Sequence, residues 1–174
     1  MTDMFHESLA FDDLAPVWRW KASHGGDDGP IWQIVTKRPE RAADLLPKLQ
    51  RHAHDACGAL PVIHLLTTVG VRSSLPRLDA LLACHGIPGV EVLGVSAEPL
   101  LEAVDFRPWL ATGRLGWVIP GGESGPRARP CHVEWIRDVV RACAEHRVPC
   151  WTKQLGANVV REAADIAGQP AKLR

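Results

Sequence analysis

LGWVIPGGESGPRARPCHVEWIRDVVRACAEHRVPCWT, residues Leu115–Thr152, is the stretch that decides the fold. It opens on an apolar run, Leu115–Pro120, and breaks at Gly121-Gly122. Apolar residues then return at helical spacing, with Val133, Ile136, Val140 and Cys143 on one stripe flanked by Trp135 and Val139. Glu134 falls in the first turn of that helix and His146 and Arg147 in its last, the arrangement the helix dipole favours. A second β-rich run, Val148–Thr152, follows. Strand, glycine-rich loop, helix and strand make a βαβ unit, which predicts two parallel strands joined by a crossover helix.

The same pattern extends towards the N-terminus. Strand-like runs occur at Ile31–Thr36, Val62–Val69 and Val90–Ser96. Their starts recur roughly every 25 to 33 residues, about one βα unit. After Ser74, Pro76 marks a helix start, Leu78, Leu81, Leu82 and His85 share a stripe, and Gly86 marks a stop. Phe11, Leu14, Ala15 and Trp18 form an earlier stripe, with Asp12 and Asp13 in an early turn. Pro47 is predicted to kink or divide the helix that follows Glu40. His24–Gly29 reads as the flexible, glycine-rich loop before the first clear strand. The sequence therefore predicts one α/β domain over 1–174, with a parallel sheet of about five or six βα units. A complete eight-unit barrel takes about 250 residues. The 174 residues here leave either an open sheet or a barrel-like sheet lacking part of itself.

Composition narrows the function. Lys plus Arg and Asp plus Glu number 20 each, so no global field draws in nucleic acid or an anionic membrane. Nucleic acid would need a local basic patch. No apolar run reaches membrane-spanning length, and the acidic start MTDMFHESLAFDD does not resemble a secretory signal. The five cysteines are odd in number and widely spaced, as expected for reduced thiols in a cytoplasmic protein. Cys131-His132 lacks a second ligand cluster, and His52 and His54 do not share a helix face, so no metal site is predicted. No Gly-x-Ser-x-Gly elbow supports a serine hydrolase.

Candidate ligand-binding residues sit where strand runs end, because the C-terminal strand ends of parallel α/β folds gather on one face. Ile31–Thr36 runs into Lys37 and Arg38, which offer anion contacts. Val90–Ser96 runs into Glu98-Pro99, an acid that needs a partner if buried, and Lys153 lies in a position to supply one. Gly121, Gly122, Glu123 and Ser124 open the richest loop; its glycines permit close backbone approach and Glu123 offers a carboxylate. Arg127 and Arg129 further along have the fork geometry that grips phosphate or carboxylate. Lys153 and Gln154 follow the last strand run. The glycine spacing matches neither the Walker nor the dinucleotide fingerprint.

Five motifs in order carry a resemblance: Asp3-Met4-Phe5-His6-Glu7, Val35-Thr36-Lys37-Arg38-Pro39-Glu40-Arg41, Ser96-Ala97-Glu98-Pro99-Leu100-Leu101, Gly121 to Pro130, and Lys153-Gln154-Leu155-Gly156. Together they resemble the phage and prophage family labelled gene product thirty-seven/sixty-eight, a domain of unknown function related to radical-SAM barrels. The resemblance implies an iron–sulfur cluster and S-adenosylmethionine, held by an N-terminal segment with closely spaced cysteines that this chain is expected to lack. It also implies a polar Glu-Asn-Gln after the middle strand, where Val69-Gly70-Val71 stands instead. No such cofactor is expected from this chain alone, since none of its cysteines forms a close triplet. The leading expectation is the C-terminal portion of a radical-SAM-like βα barrel, truncated or split, whose exposed sheet edge needs self-association or a partner chain. A non-catalytic binding module for a phosphate-bearing ligand, nucleic acid or a host protein is the alternative. An incomplete gene product without activity is the third.

Overall fold

The computed structural model describes residues 3–25 and 29–161. The chain alternates strands and helices: α1 (Phe11–Gly25), β1 (Trp32–Thr36), α2 (Pro39–Cys57), β2 (Ile63–Thr68), α3 (Pro76–Leu82), β3 (Val90–Ala97), α4 (Arg107–Leu110), β4 (Leu115–Pro120) and α5 (Val133–Glu145). β1 to β4 form one parallel sheet in sequence order, so each strand hydrogen-bonds to its neighbour in the chain. Right-handed crossovers between neighbouring parallel strands place every connecting helix on the same face. The strands are accordingly two-sided. Ile34, Ile63, Leu65, Val95 and Val118 point into the helix-covered core, while Gln33, Val35, Ser96, Trp117 and Ile119 line the other face and stay partly or well exposed. Fully burying each core Leu or Ile contributes about 1.5–3 kcal/mol. No helix among the described residues is long and apolar enough to cross a membrane.

Several expectations change. Residues Val148–Thr152 form no strand of their own. They still lie parallel to β4, with bridges Val118–Cys150 and Gly121–Gln154. The Val118 N–H donates to Pro149 O, and the Trp151 and Lys153 N–H groups donate to Val118 O and Pro120 O, all at 3.0 Å. Pro120 and Pro149 have no N–H, so the ladder cannot become continuous. A sheet of four strands plus this fifth extended segment is the result. α2 is not divided: it runs through Pro47 as one helix, held by buried Leu46, Leu49, Gln50 and Ala53. A two-stranded parallel ribbon, β5 (Cys131–His132) with β6 (Val159–Val160), has no counterpart in the sequence reading. The loop expected to be flexible lies, at residues 26–28, outside the described residues.

Candidate functional site

The C-terminal ends of the strands gather the residues singled out above into three groups. At the centre, Glu98 follows β3 and is drawn in between the Gly121 backbone and the 149–154 segment. Its side chain is 15% exposed; Lys153 Nζ donates to Oε2 at 2.8 Å and Gln154 Nε2 to Oε1 at 2.7 Å. Gln154 Nε2 also reaches Gly122 O at 3.2 Å. A Cβ at Gly121 would lie 3.3 Å from the Glu98 side chain, so glycine keeps the acid's seat open. Gly122 and Gly156 press backbone on backbone: a Cβ at Gly122 would stand 2.2 Å from Leu155 O. The close approach these glycines allow is therefore taken by the chain's own tail, which fixes Lys153 and Gln154 opposite Glu98.

Beside that cluster opens a cavity of about 460 Å³. Trp117 and Ile119 of β4 and Val35 of β1 give it apolar walls, Gln33 and Ser96 add polar groups, and Glu98 and Lys153 charge one end. Trp151, 65% exposed, also lines it. Two indole side chains beside a carboxylate–ammonium pair suit a small molecule with an apolar or planar body and a charged end. Trp117, Ile119 and Trp151 were not singled out from sequence. The signal was present in the alternation, since they face the same way as Gly121 and Lys153.

The second group is the glycine loop. Arg129 grips Glu123 twice, Nε to Oε2 at 2.8 Å and Nη2 to Oε1 at 2.9 Å, and its backbone N–H adds a third bond at 2.8 Å. The Arg129 guanidinium, with its backbone N–H, holds the Glu123 carboxyl down at about 2. Glu123 and Arg129 thus satisfy each other and close the loop. Ser124 and Arg127 are exposed on its rim. Because Glu123 takes up its proton less readily in the folded loop, the closure is complete above the ordinary carboxylate range and is lost as pH falls through about 2. Arg129→Ala removes the guanidinium but keeps the backbone N–H, so it is expected to raise the Glu123 carboxyl towards its ordinary range in a side-chain NMR titration. An unchanged midpoint would show that the pair does not form.

The third group lies at the end of β1. Arg38 pairs with Glu7, Nε to Oε1 at 2.9 Å, and approaches Asp3 at 3.6 Å, while Lys37 is exposed. Asp3 accepts from the Lys37 N–H and from Thr36 Oγ1, both at 2.7 Å. Burial raises the Asp3 carboxyl, but those bonds, one from the Phe5 N–H and the Arg38 charge outweigh it and hold it below its usual range. The N-terminal motif thus caps the end of β1.

An iron–sulfur cluster does not fit the described cysteines. Cys84, Cys131 and Cys143 are buried, and burial pushes the Cys84 thiol up to about 11. The influence of Cys150 beside it lifts the Cys143 thiol, and Cys143 in turn lowers that of Cys150. That makes a pair, and no three His, Cys, Asp or Glu side chains gather as a metal site among the described residues.

With this geometry in view, one family model, described as a protein of unknown function (DUF5131), matches residues 1–172. The chain belongs to that family. No curated protein and no solved structure matches it. The motifs that run in order through this DUF5131 chain are the ones that meet at its strand ends: β3, β4 and the 149–154 segment build the central cluster, and the N-terminal motif caps β1.

Proposed function

We propose that this chain forms the ligand-binding part of a radical-SAM-like βα barrel, with the Glu98–Lys153 cavity as the ligand's seat. The observation that carries the reading is the half-buried acid. Glu98 meets Lys153 and Gln154 at the C-terminal mouth of a parallel sheet, beside about 460 Å³ of partly apolar space. A zwitterionic ligand fits such a seat by exchange: its ammonium replaces Lys153 on Glu98, and Lys153 swings to its carboxylate. The radical-generating cluster would come from outside the described residues, and the sheet would associate with itself or with another chain along its edges. The phosphate-gripping alternative has less support, because Arg38 and Arg129 are already held by Glu7 and Glu123. Lys37 and Arg127 remain as exposed cations for it.

S-adenosylmethionine is the probe to use, by titration calorimetry on the full chain. Saturable binding is expected, weakened at least tenfold by Glu98→Gln and by Lys153→Met without a change in the far-ultraviolet circular dichroism. Heat that does not saturate, or binding indifferent to both substitutions, rejects the seat. Salt-sensitive DNA or RNA binding lost in a Lys37→Ala, Arg127→Ala variant would favour the alternative instead.

A further inference from the structure

The large hydrophobic side chains left exposed are not scattered. Val17 and Trp20 lie on α1, Ile31 and Val35 beside and on β1, Val140 on α5 and Trp151 on the 149–154 segment. These are the two lateral flanks of the sheet, the first βα unit and the last. Each flank also carries a parallel edge that no described strand pairs with. In a parallel strand the N–H and C=O of alternate residues point to the same side. On the last segment Trp151 and Lys153 donate towards β4, so Cys150 and Thr152 face outward with no backbone partner among the described residues. On β1 the Trp32 N–H turns inward to Val62 O, which leaves Gln33 and Val35 facing outward. The capping segment covers only the top of that edge, where Asp3 takes the Lys37 N–H.

The two edges complement one another. Both are parallel-type and both offer two outward residues; one stands beside Val17 and Trp20 of α1, the other beside Val140 of α5. The sheet is also curved enough that a single cavity touches both, through Val35 and Trp151.

We infer that two copies of this chain associate head to tail, β1 of each pairing in parallel with the 149–154 segment of the other. A two-fold axis along the strands makes the contact twice and closes the ring. Each junction sets Val17 and Trp20 of one copy against Val140 of its partner in the helical layer. Val35 and Trp151 meet on the inner face. Both liabilities of the isolated chain, a bare edge and the exposed apolar side chains beside it, are reduced by the one arrangement. The inference rests on the part-barrel reading of the sheet but not on what the cavity binds.

Light scattering of the full-length chain on a sizing column is expected to give twice the chain mass at micromolar concentration. Hydrogen exchange should show the Gln33, Val35, Cys150 and Thr152 amides protected, although none has a backbone partner among the described residues. Val35→Pro removes an outward N–H that no described residue accepts, and Trp20→Glu charges the helix flank. Each should weaken the dimer at least tenfold with the circular dichroism retained. A folded monomer at about 100 µM, a dimer with freely exchanging edge amides, an open ladder of larger species, or association only with a different protein would each overturn the inference. A monomer that still binds S-adenosylmethionine sinks the dimer alone. A dimer that does not bind it sinks the ligand seat alone.

Discussion

Gly70→Ala is expected to cost about 3 kcal/mol or more, lowering the melting temperature by roughly 6–12 °C. A Cβ at this position would stand 1.9 Å from Pro99 O and 3.0 Å from Pro99 C. Both are main-chain atoms, so no side-chain rotation relieves the overlap. Neither partner can easily move. Gly70 O accepts the Leu101 N–H at 2.9 Å, Leu100 N–H donates to Gly121 O at 2.8 Å, and Val69 N–H donates to Ser96 O at 3.0 Å. These bonds lace the end of β2 to the turn after β3 and to the start of the glycine loop. Displacing Pro99 therefore moves Glu98 away from Lys153 and Gln154, and the seat is lost along with stability. Gly116→Ala is the control. Its Cβ would meet only Val92 Cγ1 at 3.2 Å among side chains, and a methyl group can give way, so a change within about 0.5 kcal/mol is expected. Thermal melts of the two variants check this. Near-equal melting temperatures would mean that the Pro99 carbonyl does not lie against Gly70.

That result also bears on how far the sequence was readable. Val69-Gly70-Val71 stood out only as a departure from the polar pattern that the resemblance implies. Its structural reason, a backbone passing within contact of another backbone, leaves no trace in periodicity. Regular elements were legible because their signals are local. Three of the four paired strands fall inside the predicted apolar runs, β3 runs one residue past its own to Ala97, and Pro76 begins α3 as expected. Where tertiary packing overrides a local signal, part of the reading gave way: α2 is not divided at Pro47, because its buried side is anchored on both sides of the proline. The segment Val148–Thr152 failed for the opposite reason. Its composition is that of a strand, but two prolines on facing chains break the ladder. At the site, Lys153 as the partner of Glu98 could be anticipated from burial alone, and the structure places that pair at 2.8 Å. The Glu123–Arg129 clasp could not, because it depends on a loop turning back over six residues.

Two tryptophans a turn-fraction apart on α1 should respond in opposite ways to the same substitution. Trp18 is fully buried, 6.3 Å centroid to centroid from Phe5 and 5.6 Å, edge-on, from Trp32. It fixes the N-terminal motif and α1 to the start of β1, so Trp18→Ala is expected to cost about 3–5 kcal/mol by opening a cavity at that junction. The loss reaches the site, because Phe5 and Asp3 are neighbours and Asp3 caps β1 through Thr36 and Lys37. Trp18→Phe should cost far less than the alanine change. It keeps most of the ring and removes a buried indole N–H that has no hydrogen-bond partner. Trp20, 58% exposed and stacked on His24 at 4.9 Å, contributes little to the fold of one chain. Trp20→Ala should leave the denaturant midpoint of a dilute, monomeric sample within about 0.5 kcal/mol of the parent. In concentrated, dimeric samples its midpoint should fall below the parent's, because mass action then adds the interface to the measured stability. Urea melts at two protein concentrations separate these effects. If Trp18→Ala and Trp20→Ala lose equal stability in the dilute sample, α1 is rotated from the orientation described, and both the core and the flank assignments fail together.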